Sequence, residues 1–282
     1  MPDGRLIVCA TPIGNLGDVT LRVLDALRDA DVVEAEDTRV TRKLFARYGV
    51  TTHLEAYHAK NLERRTPEVV AKVASGSVVA LVSDAGTPGV SDPGAHLVDA
   101  CLEAGLPVDV LPGASAIVTG LVASGLPTHA FYFGGFLPRK VGDRRRALEK
   151  LASLDATLVF YESPRRTAAT LASIAEVLPG RHAAMARELT KLHEEVVRDD
   201  VASLAASLVG RELKGEVVVL VGPPGVDERA VRREADPAAL RQQVDALVAG
   251  GVSRKDAVRA VAEATGLPRN VVYEAALGRS EG

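Results

Sequence analysis

Leu6-Ile7-Val8-Cys9-Ala10-Thr11-Pro12-Ile13-Gly14-Asn15-Leu16 and Val78-Val79-Ala80-Leu81-Val82-Ser83-Asp84-Ala85-Gly86-Thr87-Pro88 are built to one plan. Each is a short apolar run that breaks into a turn rich in Pro and Gly. Apolar runs of this length suit strands buried on both faces, as in a parallel sheet. In such sheets the loops leaving the carboxyl ends of the strands form the ligand crevice. A third turn, Pro112-Gly113-Ala114-Ser115, follows the run Val108–Leu111 in the same way.

Working outward, short apolar runs alternate with longer amphipathic stretches, which is the pattern of an α/β protein. Strands are expected at Leu6–Cys9, Asp31–Ala35, Val78–Ser83 and Val108–Leu111. Helices are expected at Leu21–Arg28, Pro67–Ser75 and Pro93–Glu103, the last with Asp92 as N-cap and Gly105 as its stop. An apolar helix after Ser115 ends where Gly125-Leu126-Pro127 breaks it.

A second set of strands is expected at Phe131–Phe136, Thr157–Tyr161, His182–Arg187, His193–Arg198 and Glu216–Val221. Its helices fit Asp143–Ser153, Arg166–Leu178 and Asp200–Leu208. His193–Arg198 follows its neighbour too closely for a helical crossover, so an antiparallel pair and a mixed sheet are expected there. After Gly222-Pro223-Pro224-Gly225 comes a charged linker with Asp227, Glu228, Arg229, Arg232, Arg233 and Glu234. Three short helices follow, at Pro237–Ala249, Ser253–Ala264 and Pro268–Leu277. The expected division is 1–125, 126–225 and 236–282.

Of the 282 residues 47% are hydrophobic and 25% charged, and the net charge of −3 rules out wholesale attraction to polyanions. Any nucleic-acid contact needs a local basic patch. Cys9 and Cys101 stand alone in apolar settings, which reads as reduced buried thiols. No apolar stretch reaches the ~18 residues that span a bilayer, and the chain enters a strand at once with no room for a signal peptide. A cytoplasmic protein without membrane contact is expected.

Several chemistries lose their usual supports. There is no GxxxxGK[ST] loop, no GxGxxG and no HExxH, and His53 and His58 lack partners for a metal, so none is expected. What the sequence does offer is convergence. The turns at Thr11–Leu16, Ser83–Pro88 and Pro112–Ser115 meet at one crevice if their strands share a sheet. Small residues there leave backbone amides open to a ligand, and Asp84 supplies an acceptor for an amine or hydroxyl. Glu36-Asp37-Thr38-Arg39, at the end of the second strand, offers a carboxylate base and a phosphate-gripping guanidinium. It also fits the capped start of a helix. Tyr161-Glu162-Ser163-Pro164-Arg165-Arg166 and Arg187-Glu188-Leu189-Thr190-Lys191 repeat that strand-end polarity. Arg139, Lys140, Arg144, Arg145, Arg146 and Lys150, facing only Asp143 and Glu149, form the local basic stretch. The last two helices resemble a helix-turn-helix, yet acidic and basic residues nearly balance in 228–282, which is weak for DNA. That module reads as one for docking or RNA positioning. With no Trp and 4% aromatics, extensive base-stacking platforms are not expected.

The ordered set TPIGNL, AEDTR, SDAGTP, PGAS, GGFLPRK, FYESPRR, ARELTK and KGEVVVLV spans the chain and resembles the ribosomal RNA small-subunit methyltransferase I family. That family lies within the tetrapyrrole methylase superfamily. The resemblance implies two α/β domains with S-adenosyl-L-methionine (AdoMet) in the cleft between them, and a homodimer; the three helices read above add a small C-terminal three-helix module. It implies 2′-O-methylation of a cytidine of 16S rRNA at the decoding centre of the small ribosomal subunit. Carried over by motif, Pro12, Asp84, Ala85, Gly86, Thr87, Val90, Ser115, Ala116, Leu189 and Gly215 are the expected cofactor contacts. Methyl transfer from a sulfonium needs alignment and a base rather than a metal. Asp37 and Glu188 are the first candidates for that base, with Glu162 a third. Arg39, Arg165 and Arg187, with Arg139, Lys140, Arg144 and Arg145, are the expected RNA contacts. Two other readings compete. One is a C-methyltransferase of a porphyrin or corrin precursor using the same cleft. The other is a nucleic-acid-binding regulator built on the terminal helices.

Overall fold

The computed structural model describes residues 4–225, 237–265, 267 and 269–277. The charged linker, Gly266 and Pro268 lie outside them. Chain up to Pro223 forms one compact unit, and the remainder forms a second.

The first sheet consists of β1 (Arg5–Cys9), β2 (Val32–Ala35), β3 (Leu54–Ala56), β4 (Val78–Val82) and β5 (Val108–Leu111), all parallel, in the order β3-β2-β4-β1-β5. Alternation along the buried strands sends residues to two cores. Cys9, Ala80 and Val82 pack with α1 (Leu21–Asp29) and α2 (Thr38–Tyr48) on one face. Leu6, Val8, Val79 and Leu81 pack with α3 (Leu62–Ala74) and α4 (Gly94–Glu103) on the other. Adjacent β1 and β4 therefore send their helices to opposite faces, and the crevice of a doubly wound sheet opens at such a point.

Two local expectations are corrected here. Helix α3 begins at Leu62, with Pro67 in its interior rather than at its start. The signal that outweighs the proline is Asn61, whose Oδ1 accepts from the His58 backbone while its Nδ2 donates to the Ala56 carbonyl. The early start places Arg65 against Glu34, which is fully buried in β2, and against Glu55, which Lys72 Nζ also reaches at 2.9 Å. Strand β3 was not expected at all. Leu-Glu-Ala has no β-branched residue, and pairing with β2 rather than propensity makes it a strand.

The helix α5 (Ala116–Ser124) leads to the second sheet, in the order β6-β7-β10-β8-β9. Its strands are β6 (Phe131–Phe136), β7 (Thr157–Glu162), β8 (His182–Arg187), β9 (Glu195–Asp200) and β10 (Val217–Val221). Only β6 and β7 are parallel; β10 runs antiparallel to both β7 and β8, and β9 pairs antiparallel with β8. One face of this sheet packs with α6 (Val141–Glu149), α7 (Thr167–Val177) and α8 (Val201–Ser207). The other face takes Leu121 of α5 and Ile13 of the first turn. A helix and a loop of the first half thus serve as the second sheet's partners, which fixes the cleft between the two.

In the second unit α9 (Pro237–Ala249), α10 (Arg254–Thr265) and α11 (Arg269–Leu277) enclose a small core of Leu240, Val244, Val258, Val261 and Val272.

Candidate active site

The first two turns are joined directly. Thr11 and Gly86 exchange both backbone hydrogen bonds, at 2.8 and 3.0 Å, and the Thr11 hydroxyl donates to the Ser83 carbonyl. Gly86 holds φ at +79°, a conformation a side chain would resist. Beside this bridge lies a cavity of about 420 Å³, within the roughly 300–1,000 Å³ usual for small-molecule sites. Its first-half wall is Ile13, Glu36, Ser83–Thr87, Val90–Asp92, Ser115 and Ala116. Its second-half wall is Phe136, Tyr161–Pro164, Ala186, Leu189 and Gly215–Val218.

Nine of the ten expected cofactor contacts therefore line one cavity: Asp84, Ala85, Gly86, Thr87, Val90, Ser115, Ala116, Leu189 and Gly215. Pro12 does not; it is buried behind the wall, and Ile13 takes its place. The residues unforeseen by motif are mostly on the second sheet. Because β10 is antiparallel to β7 and β8, the residues leading into it, Gly215-Glu216, line the cavity beside the ends of the other two.

Leu189 reaches the wall from a strained loop. Glu188 and Thr190 on either side of it hold φ at 52° and 67°. Such left-handed residues need the surroundings to enforce them, and they are enforced. The Glu188 backbone N–H donates to the Glu216 carbonyl at 2.9 Å, and its Oε1 accepts from Lys191 Nζ at 2.8 Å and Glu216 N at 3.0 Å. Thr190 Oγ1 accepts from Asn15 N of the first turn. Gly14 leaves room for this contact, since a Cβ there would come within 2.5 Å of Lys191 Cγ and 2.8 Å of Thr190 Oγ1.

The cavity is acidic. Glu36, Asp84, Asp92, Glu162 and Glu216 line it, with no Lys, Arg or His among the lining residues. Burial raises the Glu36 carboxyl, and nearby Asp84, Asp92 and Asp37 add repulsion. Burial likewise raises Asp84, whose Oδ1 accepts from the Asp37 backbone at 3.0 Å. Glu162 is buried and satisfied by Ser163 N, Thr170 Oγ1 and Arg166 Nη2.

Asp37 and Glu188, the first candidates for a base, do not line the cavity. Asp37 caps α2 through Arg39 N at 2.8 Å and holds the Arg39 guanidinium, whose hydrogen bonds bring its carboxyl down to about 2. Burial would raise the Glu188 carboxyl, but Lys191 and the Glu216 amide outweigh it and hold it low.

The basic candidates also separate. Arg144 is corrected: it is buried, with Nε donating to Ser173 Oγ and Nη2 to the Ala169 carbonyl, so its charge braces α6 on α7. Arg145 pairs with Glu176, and Arg187 with Glu195 and the Lys214 carbonyl. Arg39 is exposed but folded onto Asp37. Arg139, Lys140 and Arg165 are exposed, and none is in an ion pair among the described residues. Cys9 and Cys101 are buried free thiols as expected, with burial pushing Cys9 up to about 12. Among the described residues no His, Cys, Asp or Glu cluster suits a metal ion, and no helix is long and apolar enough to cross a membrane.

Residues 5–205 match the Tetrapyrrole (Corrin/Porphyrin) Methylases, and 234–280 match the RsmI C-terminal HTH domain. A Micromonospora olivasterospora protein named ribosomal RNA small subunit methyltransferase I is 46% identical, over 96% of this chain and 86% of its own. A protein of the same name from Synechocystis is 42% identical over 97% and 98%, and one from Bacillus subtilis 37% identical over 96% and 94%. The chain belongs to this family.

Its fold is that of the tetrapyrrole methylases. The uroporphyrin-III-C-methyltransferase of Thermus thermophilus superposes with a TM-score of 0.57 at 25% identity, over 78% of this chain and 94% of that one. Diphthine synthase gives 0.61 at 20% identity, over 77% and 90%. One Thermus structure, with a TM-score of 0.56 at 21% identity over 78% and 97%, was solved with S-adenosylhomocysteine. Carboxylates such as those lining this cavity complement cationic groups, a sulfonium or an ammonium, and accept from hydroxyls.

Proposed function

We propose that this chain methylates the ribose 2′-oxygen of a cytidine in 16S rRNA, using AdoMet, at the decoding centre of the small ribosomal subunit. It works as a cytoplasmic homodimer, the state the family resemblance implies. The observation that carries the reading is the acidic cavity, with no cation among its described lining residues, formed by the family's own motifs in a chain 46% identical to a protein named ribosomal RNA small subunit methyltransferase I.

Bound in the cavity, AdoMet supplies an electrophilic methyl group on a positively charged sulfur. Asp84, Ser115, Leu189 and Gly215 hold it from both walls. The apolar side chains of Ile13, Val217 and Val218 exclude water, which strengthens the carboxylates' grip on positive charge. Glu36 lines the cavity, and its carboxyl, raised by burial, is the better proton acceptor for a ribose hydroxyl than Asp37 or Glu188. Those two are engaged elsewhere, in capping α2 and in holding the strained loop. Arg139, Lys140 and Arg165 hold flanking phosphates outside the acidic interior.

The same charge pattern speaks against a porphyrin or corrin precursor, since a polycarboxylate would meet like charges and no cation. Incubation with methyl-labelled AdoMet and either unmodified small subunits or uroporphyrinogen decides between them. Label is expected in RNA, on ribose. Label in the tetrapyrrole alone would overturn the proposal.

A further inference from the structure

We propose that Phe136, backed by Tyr161, is the platform on which the base of the target nucleotide stacks; this rests on the reading just given and names the part of the cavity that receives the substrate. The argument begins with strand register. Along β6 and β7, Phe133 pairs with Val159, but Phe136 pairs with Tyr161. The first strand takes three steps where the second takes two, so β6 carries one extra residue. In an unbroken strand Phe133 and Phe136 would point to opposite faces. The bulge brings Phe136 round to the face of Phe133 and Tyr161, and bulges beside active sites re-aim side chains in this way.

The glycines of the GGF sequence make the bulge possible. A Cβ on Gly134 would lie 2.6 Å from the Phe160 ring, and Gly135 holds φ at +60°. The outcome is an aromatic group at the cavity. Phe133 meets Tyr161 edge-on with centroids 4.9 Å apart, and Phe136 lies tilted to Tyr161 at 5.7 Å. Phe136 is 56% exposed, although it is a large apolar side chain on the cavity wall. The fold has thus built a bulge to hold an aromatic ring half in solvent at the rim of the site.

Charge says what the ring receives. Among the described residues no cation lines the cavity, so phosphates are not drawn inside with the nucleoside. Three cations with no ion pair among the described residues stand next to the platform in the chain: Arg139 and Lys140 shortly after Phe136, and Arg165 directly after the lining residue Pro164. Arg166 ties these two loops together by donating to the carbonyls of Leu137 and Pro138. A nucleotide with its base on Phe136 therefore finds its phosphates beside cations and its ribose turned towards the carboxylates. Stacking on one aromatic face accepts any base; identity comes from the surrounding RNA.

The test uses the full-length protein, unmodified small subunits and S-adenosylhomocysteine. Phe136→Ala is expected to lower kcat/KM for subunit methylation by roughly 5- to 150-fold, with S-adenosylhomocysteine affinity by calorimetry and thermal midpoint unchanged. Phe136→Tyr should restore activity, whereas Phe136→Leu, apolar but without a ring face, should not. Full activity in Phe136→Ala overturns the inference, as does full activity in Phe136→Leu. An equal loss of S-adenosylhomocysteine affinity also overturns it, because the ring would then serve the donor's adenine. Wild-type protein that methylates no ribose in the same assay sinks the underlying reading, and this inference with it.

Discussion

Gly215→Ala puts the two strained segments of the site in conflict. A Cβ on Gly215 would overlap the Cγ, Cδ and Oε1 of Glu188, and Gly215 itself holds φ at +86°. The backbone part costs about 1–2 kcal/mol, the penalty for a side chain in left-handed conformation. Glu188 can swing aside only by releasing Lys191 and the Glu216 amide. Charge-assisted bonds of this kind contribute about 1–2 kcal/mol after screening, because the Glu188 and Lys191 side chains are 19% and 30% exposed. The sum, about 2–4 kcal/mol, lowers the melting midpoint of a unit this size by roughly 4–16 °C. Leu189, released from its clamp, leaves the cavity wall, so S-adenosylhomocysteine binding weakens as well. Denaturation and calorimetry on Gly215→Ala, Glu188→Ala and the double variant check the mechanism. In the Glu188→Ala background the alanine at 215 should cost only the backbone part. Strictly additive losses, or a Gly215→Ala variant with wild-type midpoint and affinity, would refute the reasoning.

Glu36→Gln should slow single-turnover methylation by about 10²–10⁴-fold, the range for a lost general base, with S-adenosylhomocysteine affinity retained. Asp37→Asn should slow it far less, and the reverse order would move the base to Asp37. In the ion cluster beneath β2, burial would raise Glu55, but hydrogen bonds from Lys72 and Arg65 win and bring it down to about 2 from its ordinary 4.5. Its stabilising contribution is therefore present above about pH 4.5 and lost as pH falls towards 2. Buried Glu34, raised by desolvation, works in the opposite sense. The difference in melting midpoint between wild type and Glu55→Gln should shrink across that window; a difference independent of pH would count against it. Arg144→Ala should destabilise the fold, by about 2–5 kcal/mol for removal of a buried charged group's bonds, and leave RNA affinity of the folded protein unchanged. A measured loss of RNA affinity would return Arg144 to the interface. Cys9 and Cys101 should resist alkylation at pH 8 until the protein is unfolded, and rapid labelling of native protein would contradict their burial.

The parallel sheet was legible because β4 throughout, and β1 after Arg5, are apolar and end in turns with distinctive residues. The antiparallel β8–β9 pair could be read from loop length alone. Local chemistry failed where tertiary contact decided the outcome. β3 exists through its pairing with β2, and α3 starts early because Asn61 organises the turn before it. Motif reading picked out most of the residues that line the first wall of the cavity. On the second wall it missed Glu216, since an antiparallel strand offers the residues leading into it to the site, and Phe136, since nothing in a run of Phe-Tyr-Phe-Gly-Gly-Phe announces a one-residue bulge. Asp37 and Arg144 have in common a feature that their motifs do not show. A charged residue in a suggestive motif can be wholly engaged by neighbours that the folded chain brings to it.

The most direct measurement is the position of S-adenosylhomocysteine in crystals of this protein. The ligand should lie between the Ser83–Val90 loop and Ser115 on one side and Leu189 and Gly215 on the other, with Asp84 in hydrogen-bonding range. Density for it on another surface, or beside only one of the two sheets, would contradict a shared cavity as the seat of the chemistry.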